Sequence, residues 1–127
     1  MADINDLQST PVAGTDATDT AYIHNATGQK IQILAVSIVP KTSVSTHASN
    51  YITTSIKKGS DTITAHTTNS SGGSALTAGT VKDLSLTGVG EVLEIAAGGV
   101  ITVDVAKNGT GPAYSNYISV KAMELRS

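Results

Sequence analysis

From Thr20 onward, short runs of alternating apolar and polar residues are separated by clusters of Gly, Asn, Asp and Ser. This period of two predicts β-strands joined by turns. Residues 20–25 form the first run. The strongest is 30–39 (KIQILAVSIV), in which Ile31 and Ile33 share one face and Leu34, Val36 and Ile38 the other. Apolar residues on both faces mean a central strand or a bulge midway, and Pro40 ends the run. Residues 50–58 set Ile52, Thr54 and Ile56 against Thr53, Ser55 and Lys57. After Gly59-Ser60-Asp61 the chain returns through 62–68, with Ile63 and Ala65 inward and Thr62, Thr64 and His66 outward, which predicts a hairpin.

Residues 69–79 (NSSGGSALTAG) predict an exposed loop. Strands follow at 80–86, with Leu84 and Leu86 on one face, and at 91–97, with Leu93 and Ile95 inward. Gly98-Gly99 predicts a two-residue hairpin turn, since glycine accepts positive φ. The strand at 100–106 turns Ile101, Val103 and Val105 inward. A turn cluster at 108–112 precedes the last strand, 116–125, with Ile118, Val120 and Ala122 on one side. No segment keeps a helical period and no fixed-length repeat recurs. About eight short strands predict an all-β fold, an antiparallel β-sandwich of jelly-roll type. An immunoglobulin-like sandwich is the alternative, although its usual Cys and Trp are missing.

Composition agrees with thin sheets. The 127 residues suit one domain; 39% are apolar, and there is no Phe or Trp. The core must come from Ile, Val, Leu and Ala. Thr (18) and Ser (14) make up a quarter of the chain and disfavour helix interiors. The absence of Cys excludes thiol catalysis, zinc–thiolate sites and disulfides. The opening MADINDLQST has no apolar run, so neither a signal peptide nor a membrane span is expected, and synthesis and folding in a cytoplasm are.

Charge divides the chain where net charge (−2) does not. Asp3, Asp6, Asp16 and Asp19 precede the first cation, Lys30, while the remainder is mildly basic. Residues 1–19 therefore read as an acidic, extended N-terminal arm, and 20–127 as the β-sandwich domain. Such an arm can order on a partner, with Ile4, Leu7 and Val12 as apolar anchors and Asp16 and Asp19 as its charges. The scattered basic residues predict no nucleic-acid binding.

No constellation carries catalytic chemistry. His24, His47 and His66 lack metal-ligand spacing and read as surface or loop residues. There is no G-x-S-x-G elbow, and Gly88-Val89-Gly90 has no helix after it, so it is a bend. Asp16, Asp19 and Asp61 lack the calcium-loop pattern. Asn25-Ala26-Thr27, Asn69-Ser70-Ser71 and Asn108-Gly109-Thr110 match the glycosylation sequon, as chance allows at this Ser and Thr content. No enzyme activity, cofactor or metal is expected. Tyr114 and Tyr117, beside a turn, are candidate partner contacts.

The polar arm, the Thr- and Ser-rich strands, the run Leu93-Glu94-Ile95-Ala96-Ala97-Gly98-Gly99-Val100-Ile101-Thr102-Val103-Asp104-Val105, the turn Asn108-Gly109-Thr110-Gly111 and the final strand resemble the small jelly-roll head decoration (cement) proteins of tailed bacteriophages. The resemblance covers most of residues 20–125 and is one of pattern. It implies a structural virion protein on the capsid exterior that clamps neighbouring major capsid subunits, often as a homo-oligomer, commonly a trimer. The alternative is a carbohydrate- or receptor-binding module of a phage tail fibre or bacterial surface protein. The lack of Trp counts against that alternative.

Overall fold

The computed structural model describes residues 4–8, 12–14, 18–110 and 114–125. Ten strands are found among them: β1 (Ile4–Gln8), β2 (Val12–Gly14), β3 (Thr18–His24), β4 (Lys30–Pro40), β5 (Tyr51–Lys58), β6 (Asp61–Thr67), β7 (Lys82–Leu84), β8 (Glu94–Ile95), β9 (Val100–Asn108) and β10 (Tyr114–Leu125). They form two antiparallel sheets. In the first, β10 and β4 are central, β1 and β2 share the edge beside β10, and β7 and β8 share the edge beside β4. The second runs β3-β9-β5-β6.

The pairings fix the topology. With β1/β2 and β7/β8 each counted as one interrupted strand, the first strand pairs with the eighth, the second with the seventh, the third with the sixth and the fourth with the fifth. This is one long hairpin, folded at the β5–β6 turn and rolled into two sheets, which is the jelly roll. In the segment read as an extended arm, β1 and β2 both pair with β10: Ile4 stands opposite Met123, Leu7 opposite Val120 and Val12 opposite Asn116. β3 begins at Thr18, slightly ahead of the expected boundary at Thr20.

The mixed faces of β4 resolve into a bulge. Lys121 pairs with Ala35 and Ala122 with Ile33, so Leu34 has no opposite number on β10. Leu34 and Ala35 both face out, and the one-residue phase change turns Ile31, Ile33, Val36 and Ile38 all inward. A second bulge sits in β6, where Thr62 pairs with Lys57 and Thr64 with Ile56. Ile63 and Thr64 are consequently both buried, Ala65 is exposed, and His66 lies inside. This overturns the expected alternation of β6 and the reading of His66 as a surface residue.

Two further expectations fail. Gly98-Gly99 is not a hairpin turn, because β8 and β9 belong to different sheets. Only Gly98 takes positive φ (78°), and the turn carries the chain across the sandwich. The strand expected at 91–97 is mostly a 3₁₀ turn (Gly90–Leu93), leaving only Glu94–Ile95 paired to β4. Gly90, at φ 60°, starts that turn.

The core between the sheets is mainly isoleucine, including Ile31, Ile33, Ile52, Ile56, Ile63, Ile101 and Ile118. Burying each contributes about 1.5–3 kcal/mol relative to exposure. Val44 and Leu76, joined by backbone hydrogen bonds in both directions, add buried side chains from the loops after β4 and β6.

Candidate functional site

One part of this interior is polar. Across the inner face of the second sheet, His66 pairs with Thr54, Thr54 with Val105, and Val105 with Asp19, forming one row. From the first sheet, β10 brings Tyr114 and Asn116, alternate residues on its buried face. Tyr114 lies near Asp19, at one end of that row. Burial first, and then the Asp19 carboxylate, push its hydroxyl up to about 12. The Lys107 ammonium lies 5.8 Å from the centre of the Tyr114 ring, within reach of a cation–π contact.

Thr54, Tyr114 and Asn116 are at most 3% exposed, and His66 is 9% exposed. Among the described residues, the Thr54 and Tyr114 hydroxyls, His66 Nδ1 and both Asn116 carboxamide atoms find no hydrogen-bond partner. An unpartnered buried polar group costs about 1–3 kcal/mol, so these atoms set their residues apart from the rest of the core. His66 Nε2 is 3.1 Å from the Ser74 hydroxyl. Burial, and then the Lys82 charge, hold the His66 ring below its ordinary 6.5, with a hydrogen bond to the Ser74 backbone acting in the opposite direction.

At the surface, a cleft of about 170 Å³ is lined by Lys30, Lys58, Glu91, Glu94 and Ala96. Its charges are largely engaged: Lys30 pairs with Glu94 at 3.3 Å, and Lys58 Nζ donates to the Glu91 carbonyl at 2.7 Å. The cleft is below the roughly 300 Å³ at which small-molecule sites begin. Among the described residues no group of three His, Asp or Glu is placed to hold a metal ion, and no helix is long and apolar enough to cross a membrane.

No family model, curated protein or solved structure matches the chain. Of the candidate contacts, Asp16 lies outside the described residues, and Ile4, Leu7 and Val12 are placed by their backbone pairing with β10. Asp19 and Tyr114, near opposite ends of the chain, are brought together across the sandwich. Tyr117, on the opposite face of β10 from Tyr114, is half-buried, with Lys41 Nζ 5.6 Å from its ring centre.

The buried polar side chains of Asn116 and His66 differ in how far the sequence reveals them. Asn116 was within reach, because it continues the inward series Ile118, Val120, Ala122. His66 was not, because its orientation depends on the β6 bulge. The histidine in the loop after β4 plays another part. His47 Nδ1 accepts from the backbone N–H of Ser49 and Asn50, at 3.0 and 2.8 Å, and so shapes the approach to β5. The first sequon is unusable as folded, since Asn25 is buried and its amide is fully engaged.

Proposed function

We propose that this chain is a non-catalytic structural protein of a tailed bacteriophage, which binds the outside of the capsid and clamps neighbouring major capsid subunits. The observation that supports this most is the jelly-roll strand order, the fold that the resemblance to decoration proteins implies. A clamp needs a stiff scaffold, and here β4, β10, β5 and β9 are each paired along both sides. It also needs contact surface. Tyr22 is 62% exposed on the outer face of β3, and Val100, 46% exposed, follows on the neighbouring β9. Tyr is favoured at interfaces because its rigid ring buries much area at little entropic cost.

In this reading the chain acts as a homo-oligomer, commonly a trimer, because several weak contacts on a symmetric lattice act together. The test combines native mass measurement with cosedimentation on empty capsids. An oligomer that pellets with capsids, and a Tyr22→Ala variant that pellets less, are expected. A strict monomer that stays in the supernatant overturns the proposal.

A further inference from the structure

Of the six asparagines in the chain, Asn108 alone precedes a glycine. Such a dipeptide is chemically labile. The backbone nitrogen of the following residue can attack the asparagine carboxamide carbon, and glycine, with no Cβ, leaves that nitrogen open to approach. The turn itself demands the glycine. Gly109 stands at φ 65°, in the left-handed region, and a Cβ on it would lie 2.4 Å from Asn50 Oδ1 and 2.7 Å from the Ser49 carbonyl oxygen. The residues that close this turn are therefore the ones that can cyclise.

The surroundings separate Asn108 from the other asparagines. Asn25 and Asn116 are buried, whereas Asn50 and Asn69 are half-buried and precede the bulkier Tyr51 and Ser70. Asn108 is exposed at the end of β9. Its Nδ2 donates to the Ser49 carbonyl at 2.9 Å. An exposed bond of this kind exchanges readily for one to water, so it slows rotation of the carboxamide without preventing it. Beside it, the Thr110 N–H donates to Asn50 Oδ1 at 3.0 Å. These two bonds tie the turn after β9 to the loop before β5.

We propose that Asn108 is a site of spontaneous deamidation, and that its conversion releases the turn from Ser49 and Asn50. Gly109 N bonds to Asn108 Cγ, the Cγ–Nδ2 bond breaks, and Nδ2 leaves as ammonia with the proton from Gly109. A water molecule then opens the succinimide. Opening at Cγ gives aspartate, and opening at the backbone carbonyl carbon of residue 108 gives isoaspartate. Aspartate sets an oxygen without a proton against the Ser49 carbonyl, so attraction becomes repulsion. Isoaspartate routes the backbone through Cβ and Cγ, which lengthens it beside a glycine that has no slack against Ser49 and Asn50. The site is independent of the capsid reading and belongs to the isolated chain.

Incubating the full-length protein in warm, mildly alkaline buffer tests this, with a denatured sample alongside to set the clock. Peptide mapping by mass spectrometry should find Asn108 converted ahead of every other asparagine, to a mixture of aspartate and isoaspartate. Hydrogen exchange at the Thr110 amide should become at least severalfold faster in the converted protein, and in Asn108→Asp, with the β-sheet circular dichroism retained. Asn108 still intact in the native protein once the denatured sample has converted overturns the proposal. So does a product with no isoaspartate, or conversion that leaves Thr110 exchange unchanged. If Asn108→Asp fails to fold, the time course of the parent protein decides.

Discussion

The side-chain amide of Asn25 donates to the carbonyl of Ile95 at 3.2 Å, across 70 residues of sequence. The same nitrogen reaches Gln29 O (2.8 Å) and Ala96 O (3.0 Å), while Oδ1 accepts from the Thr27 N–H and hydroxyl. One buried carboxamide thus holds the β3–β4 turn against the β8–β9 crossing. Asn25→Ala leaves several of these groups without partners, so a loss of about 2–4 kcal/mol is expected. Urea unfolding measures it, and an unchanged midpoint would show that the two turns are held by other contacts.

The β4 bulge makes an opposite pair of deletions informative. Removing Leu34 leaves Ile33, Ala35 and Val36 in regular alternation, with Ile31, Ile33, Val36 and Ile38 still inward. It should therefore fold, at a cost within about 2 kcal/mol. Removing Ser37 instead turns Ile38 outward and should cost about 3 kcal/mol or more, from lost burial and the cavity left behind. Equal stability of the two deletions by thermal melting would contradict the bulge.

His66 makes the fold sensitive to acid. Its folded proton affinity is lowered by burial and then by Lys82, so below its ordinary value of 6.5 the unfolded chain takes up a proton that the folded chain does not. Its stabilising effect is complete above pH 6.5 and is lost as pH falls from there through the lowered folded value. The groups around it are Thr54, Ser74 and Lys82. His66→Gln should flatten this part of the profile. The difference in melting temperature between about pH 7 and about pH 5 should shrink in the variant.

Tyr114 acts at the other extreme. Its hydroxyl, pushed up to about 12 by burial and then by Asp19, stays protonated in the folded state where the unfolded one ionises at 10. Stability from this residue is full below pH 10 and is lost as pH rises from 10 towards 12. Tyr114→Phe should change stability by no more than about 1 kcal/mol near neutral pH, because the hydroxyl has no partner among the described residues, and should reduce the alkaline loss. Urea midpoints at about pH 8 and about pH 11 distinguish these outcomes.

Much of the architecture was legible because period-two patterning reports directly on half-buried strands. The alternations at Ile52–Ile56 and Ile101–Val105, and the β5–β6 hairpin around Gly59, stand where the pattern puts them. Even the β4 bulge left a trace, in two apolar faces on one strand. The β6 bulge left none, since threonine is at home on either face, and so the burial of Thr64 and His66 was hidden. Gly98-Gly99 misled for a related reason: a tight glycine turn fits both a hairpin and a crossing between sheets, and only the partner of β8 decides. The approach of Asp19 to Tyr114 joins residues too distant in sequence for any local pattern to record.

The rolled pairing also dictates an order of events as the chain folds. The β5–β6 turn joins residues close in sequence, β4 meets β7 and β8 across a longer loop, β3 meets β9 across most of the domain, and β1 meets β10 with Ile4 opposite Met123. Loop-closure entropy rises along that series, so the central hairpin is the natural nucleus and the two ends of the chain meet last. Quenched-flow hydrogen exchange should find β5 and β6 protected earliest and β1 latest. A chain paired this way leaves β1 and β2 without their partner until β10 has been made.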